Sequence, residues 1–144
     1  MIRITVTRTI ASPVEVVFAT AADIRRFSKA LPHIVRFEFL SEVRSGVGTR
    51  FRETRLMRGK EQTTELEVTE YIQDDRIRMV ADSHGTVWDT VFTVAPNEGG
   101  TTLAMTMDAR AYKLFPRLLN PLVMGMIKKA VERDMDLVKA FCEK

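Results

Sequence analysis

The final stretch of the chain, from Leu114 to Cys142, has the pattern of one long amphipathic helix. Its apolar residues recur at helical spacing over about seven turns, at Leu119, Val123, Met126, Ala130, Leu137 and Phe141. No proline follows Pro121 in the sequence, so the helix can continue to the end of the chain. A helix with so long an apolar stripe needs one large surface against which to bury it. The rest of the chain has to supply that surface.

Most of the preceding sequence has the pattern of β-strands joined by short turns. The first strand is predicted over residues 2–10, where Ile and Val alternate with Arg and Thr. Two short helices follow: Ser12 is expected to cap the first, from Val14 to about Thr20, and Asp23 starts the second, which ends before Pro32. Six more strands are predicted at Ile34–Val43, Thr49–Met57, Gln62–Ile72, Arg76–Asp82, Thr86–Val94 and Thr101–Ala111. The turns between them have hairpin length, which indicates an antiparallel meander.

Composition restricts the class of protein. The 144 residues, 45% apolar and 28% charged, have the size and composition of a single globular domain over residues 1–144. No apolar run approaches the ~20 residues of a membrane span, and the first residues have a strand pattern rather than that of a signal peptide. Cys142 is the only cysteine, which excludes an intrachain disulfide and a cysteine-based metal site. We therefore expect a cytoplasmic protein without stable membrane insertion.

The charge pattern argues against nucleic-acid and metal binding. The net charge is only +3, and the basic residues alternate with acidic ones rather than forming a block interleaved with aromatic residues. The two histidines, His33 and His84, lie too far apart in sequence to suggest a metal-ligand motif. We expect no nucleic-acid partner, no metal and no cofactor.

Strand alternation predicts which side chains face the C-terminal helix. In the third strand Phe51 and Met57 mark the inward file, so Glu53 and Arg55 in the same file also point inward. A buried charge is costly unless it is paired or hydrated. Glu53 and Arg55 therefore either orient a polar group of a ligand in a partly hydrated pocket, pair with each other, or lie in solvent beyond the helix.

The inward face is apolar and rich in methionine and aromatic residues, which suit a hydrophobic or flat ligand. A cavity between helix and sheet is expected to be lined by Phe51, Glu53, Arg55, Leu66, Met79, Trp88, Phe92, Met105, Met107, Tyr112, Val123, Met126 and Ala130. The alternative is a filled hydrophobic core without any such cavity.

The order of these elements resembles the helix-grip fold, which START lipid-transfer domains, the birch-pollen-allergen group and the polyketide cyclase/dehydrase families share within the SRPBCC superfamily. The segments that carry the resemblance are Ile10–Pro13 with Val16 and Phe18, Gly46–Phe51, Glu67–Tyr71, Gly99–Thr101 and the C-terminal helix. The resemblance implies an α+β fold in which a curved seven-stranded antiparallel sheet wraps around a long C-terminal helix, with two short helices after the first strand. It also implies a hydrophobic small molecule, such as a lipid, polyketide or aromatic compound, as the ligand.

Three hypotheses about function remain open, because the sequence contains no nucleophile elbow, P-loop or zinc-protease motif. The first is a binding protein for a hydrophobic small molecule. The second is a polyketide cyclase or dehydrase with Glu53 as base, Arg55 holding an enolate and His33 moving a proton, unless His33 is a surface-loop residue. The third is a module that dimerises through exposed apolar residues at Phe115, Leu118 or Leu122.

Overall fold

The computed structural model describes residues 2–112 and 121–144, and within them seven antiparallel strands form one sheet. The strands are β1 (Ile2–Ile10), β2 (Ile34–Phe39), β3 (Arg50–Met57), β4 (Lys60–Ile72), β5 (Arg76–Ser83), β6 (Thr86–Asn97) and β7 (Gly100–Ala111). The helices are α1 (Val14–Ala22), α2 (Ile24–Ala30) and α3 (Pro121–Cys142). The sheet order β1-β7-β6-β5-β4-β3-β2 places β1 and β2 at opposite edges. This architecture confirms the predicted α+β helix-grip fold.

The sheet curves around α3, because neighbouring residues of this helix contact strands that are far apart in the sheet. Asp136 accepts a hydrogen bond from Arg8 of β1 at 2.6 Å, and Asp134 accepts one from Arg55 of β3 at 2.7 Å. β1 and β3 are five strand spacings apart in the sheet order. In a flat sheet that separation is about 24 Å, which the side chains of Arg55 and Asp134 together could not cover from a helix packed on β1.

The buried side of α3 is rotated by one residue from the predicted stripe. The structure buries Met124, Val131, Met135, Val138 and Cys142. The predicted stripe contained Val123, Met126, Ala130, Leu137 and Phe141, and one residue corresponds to a rotation of about 100°. Arg133 and Asp134 interrupt the predicted file, whereas Met135 continues the buried one. The predicted start of the helix at Leu114, with Leu119, lies outside the described residues.

Strand alternation correctly identified the inward face in most of the sheet, and the end of β4 is the exception. Alternation continued from inward-facing Val68 would turn Ile72 inward as well, but Ile72 is exposed. A bulge between Val68 and Glu70 shifts the register of β4 against β5. Tyr71 consequently takes the inward position, where its ring contacts Phe18 of α1 edge-on at 5.4 Å between centroids.

The core lies where α1, α2 and the C-terminal half of α3 pack on the inward face of the sheet. The predicted Ser12 cap is wrong: α1 has Pro13 as its N-cap, and the Ser12 carbonyl instead accepts a hydrogen bond from Thr101 Oγ1 of β7 at 2.7 Å. Asp23 caps α2 as expected, accepting from the backbone N–H of Arg25 at 2.9 Å. None of the helices that the structure describes is long and apolar enough to cross a membrane.

Candidate functional site

Four polar side chains from three separate segments meet on the inward side of the sheet. Arg55 Nε donates to Glu53 Oε1 at 3.0 Å, and Arg55 Nη1 donates to Asp134 Oδ2 at 2.7 Å. His33 Nε2 lies 3.3 Å from Arg55 Nη1 and 3.3 Å from Asp134 Oδ1. We call Glu53, Arg55, His33 and Asp134 the polar cluster. It contains all three residues that the sequence suggested for catalysis, together with Asp134, which sequence reasoning missed.

Local structure explains why these four residues come together. Glu53 and Arg55 lie two apart on β3 and share a face with buried Phe51. His33 immediately precedes β2, and its carbonyl accepts the backbone N–H of Leu56 at 2.8 Å, which holds it beside Arg55. Asp134 directly precedes buried Met135 in α3, so its side chain lies at the margin of the buried file. The sequence feature that could have identified Asp134 is the position of an acidic residue next to the continuous apolar file of α3.

The cluster is largely shielded from water, and its charges are paired. Glu53 is only 8% exposed. Burial lowers the pKa of Arg55, but the charges of Glu53 and Asp134 and their hydrogen bonds raise it more, so this pKa lies above its ordinary value. The guanidinium therefore remains charged between two carboxylates, the arrangement that a buried cation requires. Of the open alternatives for Glu53 and Arg55, pairing with each other is the one that the structure contains.

His33 is held in its neutral form near neutral pH. Partial burial lowers the pKa of His33 below its ordinary value, and the positive charges of Arg55 and Arg133 lower it further, while Asp134 and Glu53 oppose the shift. A neutral ring with its proton on Nδ1 can accept the hydrogen bond from Arg55 Nη1. His33 is therefore a half-buried member of the cluster rather than a freely exposed loop residue.

Several polar atoms of the cluster keep free hydrogen-bonding capacity, and two of them belong to Glu53 and Arg55. Across residues 2–112 and 121–144, Glu53 Oε2 accepts no hydrogen bond and Arg55 Nη2 donates none. A carboxylate oxygen without a partner can accept a hydrogen bond or a proton from a bound molecule, and a free guanidinium nitrogen can donate to one. The cluster can therefore contact a ligand without first breaking its own hydrogen bonds.

The predicted lining residues of the sheet divide into two groups. Phe51, Phe92 and Met105 are buried within the core. The second group faces the same side but is only half-buried, and consists of Leu66, Met79, Trp88 and Met107. The cross-strand register confirms the inward orientation of Trp88, which lies opposite Ala81 and Ala109, and both of these are buried. Part of the inward face is therefore apolar but incompletely covered.

Two predicted lining residues lie elsewhere. Tyr112 is exposed just beyond the end of β7, where strand alternation no longer applies, and its hydroxyl donates to Asp82 Oδ1 at 2.7 Å. Met126 is 43% exposed because the buried side of α3 is rotated from the predicted stripe. Both side chains are therefore more exposed than expected for the lining of a cavity, and their contact with a ligand stays a prediction. Val123 and Ala130 are half-buried beside the buried file of the helix.

A separate small cavity of about 100 Å³ lies between α1, the β2–β3 connection and inward-facing side chains of β3 and β4. Its lining includes Asp23, Arg44, Phe51 and Tyr71. Beside it, the Phe39 ring has the guanidinium carbons of Arg25 and Arg44 at 5.5 Å and 5.3 Å from its centroid, a cation–π arrangement that holds the connection in place. The cavity has room for about three waters, so it is too small for a polyketide or lipid.

The described residues contain no group of three or more His, Cys, Asp or Glu side chains that could hold a metal ion. Arg55 occupies the space between the two carboxylates of the polar cluster. The cluster therefore has acid–base and hydrogen-bonding chemistry available, rather than that of a metal site.

The chain matches one protein-family model along nearly its whole length, and solved structures share its fold. The family model described as polyketide cyclase/dehydrase and lipid transport matches residues 1–143. No curated protein matches the sequence significantly. TTHA0849 from Thermus thermophilus has a similar structure, with a TM-score of 0.80, 22% identity and coverage of 98% of this chain and 97% of that chain.

Two further solved structures have the same fold. A START superfamily protein from Mycobacterium smegmatis has a TM-score of 0.80 and 15% identity, with 98% of this chain and 97% of that chain covered. The di-domain ARO/CYC StfQ from the steffimycin biosynthetic pathway has a TM-score of 0.78 and 16% identity, covering 98% of this chain and 50% of that one. At these identities the likeness shows the fold alone.

Proposed function

Because the chain belongs to the polyketide cyclase/dehydrase and lipid transport family, we propose that it binds a hydrophobic small molecule between α3 and the inward face of the sheet. The proposed ligand is lipid-like, polyketide-like or aromatic, and residues 1–144 form one ligand-binding domain. The observation that carries the proposal is the half-buried apolar surface of Leu66, Met79, Trp88 and Met107 on the inward face. Small-molecule sites combine such apolar surface with a few well-placed polar groups.

The binding energy would come mainly from these apolar side chains. A ligand that buries about 200 Å² of apolar surface against them gains roughly 5 kcal/mol before the entropic cost of binding. The polar cluster would add orientation rather than most of the affinity, since a hydrogen bond exchanged for one with water contributes only about 0.5–1.5 kcal/mol.

Native mass spectrometry of freshly purified protein tests the proposal directly, and a binding assay with N-phenyl-1-naphthylamine supplies a quantitative measurement. We expect an adduct in the mass spectrum or an increase in fluorescence on binding this apolar dye. Leu66→Trp, which fills the inward surface, should abolish dye binding. Glu67→Trp, on the exposed outer face of the same strand, is the matched control and should bind the dye normally.

Failure of both assays with wild-type protein would remove the proposed function. Equal dye binding by wild-type protein and Leu66→Trp would place the dye elsewhere and contradict the proposed location. The melting temperatures of both variants would show whether either substitution acts by unfolding the protein.

A second candidate function is cyclisation and dehydration of a polyketide, and the free oxygen of buried Glu53 favours it. Glu53 would remove a proton from the carbon between two ketones, and that carbon would attack a third ketone carbon. The new alkoxide would take the proton back from Glu53, and loss of one water would give the dehydrated ring. His33 and Arg55 lie in the same cluster, so the residues that this reaction needs remain candidates.

Incubation with a synthetic poly-β-ketone, followed by mass spectrometry for the loss of one water, distinguishes this activity from binding alone. An enzyme should accelerate the reaction over buffer, and Glu53→Gln should lower the rate by about 10²–10⁴-fold. Glu67→Gln, on the outer face, should leave the rate unchanged. A wild-type rate equal to that in buffer would contradict the enzymatic role and leave the binding role intact.

Dimerisation is the third hypothesis, and one described residue bears on it. Leu122 is 78% exposed near the start of α3, while Phe115 and Leu118 lie outside the described residues. The homodimer, like the cytoplasmic location, stays a prediction. Sedimentation at increasing protein concentration would test it, with a strict monomer arguing against it.

A further inference from the structure

Building on the proposed function, we propose that the ligand presents an uncharged hydroxyl group, such as a phenol, to Glu53 and Arg55, and that the site discriminates against anionic ligands. The inference concerns which chemical group the polar cluster accepts. It rests on the charge of the cluster and on two of its atoms, Glu53 Oε2 and Arg55 Nη2, that have no hydrogen-bond partner among the described residues.

The buried charges of the polar cluster sum to an excess of negative charge. Glu53 and Asp134 are both bound to the single cation Arg55, at 3.0 Å and 2.7 Å. The lowered pKa of His33 keeps its ring neutral at pH 7. Arg133 also acts on His33, but its side chain is exposed and its charge is screened by solvent.

A carboxylate or phosphate placed beside this cluster would meet two carboxylates that already share Arg55, their buried counter-charge among the described residues. Like charges brought together in a water-poor site weaken binding strongly. The positive charge of Arg55 is consequently a poor holder for a ligand that carries its own negative charge, such as a carboxylate or a phosphate. The cluster therefore disfavours an anionic ligand group, and its unpaired atoms indicate which neutral group it can accept instead.

The unpaired atoms match the two hydrogen-bonding functions of a hydroxyl group. Within the described residues, Glu53 Oε2 lacks a donor and Arg55 Nη2 lacks an acceptor. Glu53 is only 8% exposed as a residue, but its free oxygen keeps accessible surface, so a bound molecule can reach it. A hydroxyl donates one hydrogen bond and accepts another, whereas an ether cannot donate and a carboxylate can only accept. A phenol also carries the flat apolar ring that Met79, Trp88 and Met107 would contact.

Three naphthalenes of similar size test the inference at pH 7: 2-naphthol, 2-naphthoate and 2-methoxynaphthalene. Each competes with bound N-phenyl-1-naphthylamine, and the concentration that displaces half of the dye is measured. We expect 2-naphthol to compete at an approximately tenfold or more lower concentration than 2-naphthoate. The methoxy compound should be weaker than 2-naphthol by severalfold, since it leaves Glu53 without a donor.

Two variants assign the discrimination to the cluster. Glu53→Gln and Asp134→Asn each remove one negative charge, so each should strengthen 2-naphthoate binding relative to 2-naphthol and reduce the tenfold difference. Glu67→Gln, on the outer face, should leave the difference unchanged. Both substitutions lower the negative charge of the polar cluster, one from β3 and the other from α3. If one variant fails to fold, the other still tests the inference.

Each outcome separates this inference from the proposed function. If the dye binds but 2-naphthoate or 2-methoxynaphthalene competes as well as 2-naphthol, the hydroxyl preference is wrong and the binding function stands. Unchanged discrimination in both cluster variants would likewise overturn it. If neither the dye nor 2-naphthol binds, the proposed function itself fails.

Discussion

Two parts of α3 differ sharply in how they are held: residues 121–130, called here its N-terminal half, and residues 131–142, its C-terminal half. The C-terminal half buries Val131, Met135, Val138 and Cys142, and it is tied to the β1 end of the sheet by polar contacts. Lys139 Nζ donates to the Thr9 carbonyl at 2.6 Å, and Glu143 Oε2 accepts the backbone N–H of Ala11 at 2.9 Å. The N-terminal half has one buried residue, Met124, with Leu122 and Met126 exposed.

This difference indicates a division of roles along one helix. The C-terminal half closes the hydrophobic core and supplies stability, whereas the N-terminal half is sparsely buried and belongs to the region proposed to bind a ligand. Asp134 lies where the tightly packed half begins, so the polar cluster joins the helix to β3 at this boundary. Substitutions matched between the two halves test the division.

The largest difference is expected between Met135→Ala and Met126→Ala. Met135 is 2% exposed, so its truncation should lower the free energy of unfolding by about 2–5 kcal/mol. Met126 is 43% exposed, and the same truncation there should cost less than about 1 kcal/mol. Urea denaturation of both variants measures the two values. Equal losses would mean that the two halves do not differ as described.

Removing the charge of Asp134 from the polar cluster is expected to have the next largest effect on the unfolding free energy. Asp134→Asn leaves Arg55 with one carboxylate in a shielded site, so unfolding free energy should fall by about 1–3 kcal/mol. Asp136→Asn breaks the ion pair with Arg8 on a carboxylate that is 61% exposed, and should cost about 0–1 kcal/mol. A larger loss for Asp136→Asn would show that the surface contact, not the cluster, fixes α3.

A stabilising change is expected in the loosely packed half. An alanine Cβ at Gly125 would meet no atom within 4 Å, so Gly125→Ala should raise the unfolding free energy by about 0.5–1 kcal/mol. Gly100→Ala is the opposite control, because its Cβ would lie 2.1 Å from the Ile10 carbonyl oxygen with φ at +154°. A destabilised Gly125→Ala protein would indicate that this part of α3 is packed after all.

The smallest expected effect is the pH dependence of the unfolding free energy that His33 contributes at the boundary between the two halves of α3. Because the folded protein lowers the pKa of His33, the unfolded chain binds a proton more readily below about pH 6.5. Unfolding free energy should therefore fall as the pH drops below that value and recover above it. Asp134, Glu53, Arg55 and Arg133 all act on this ring.

Denaturation of His33→Gln between about pH 5 and 8 measures that contribution, because this variant should lose part of the pH slope. His84→Asn, in the exposed β5–β6 turn, is the matched control. If the unfolding free energy of wild-type protein and that of His33→Gln change equally with pH, the partial burial of His33 does not contribute to the pH dependence.

Period-two alternation was sufficient to place Glu53 and Arg55 inward, because it depends only on neighbouring residues in one strand. It failed at Ile72, where the β4 bulge changes the count of residues without a clear sequence signal. The helix stripe was ambiguous, since α3 carries two adjacent apolar files. The interruption at Arg133 and Asp134 could have decided between them.

The polar cluster could be predicted only in part. Its β3 members followed from alternation, but contact between Arg55 and Asp134 depends on how far the sheet curves around α3. That curvature comes from the packing of all seven strands rather than from either segment. His33 was open to both interpretations because its neighbours come from β3 and α3.

The placement of β1 beside β7 has a consequence for how the chain folds. Their register runs from Ile2 with Ala109 to Ile10 with Thr101, so the first strand of this sheet in chain order pairs with its last. Closing such a long loop is entropically costly, and topologies dominated by distant contacts fold slowly. The edge of β1 that pairs with β7 would stay unpaired until β7 has been synthesised, a period in which a chaperone or a second nascent chain could bind it.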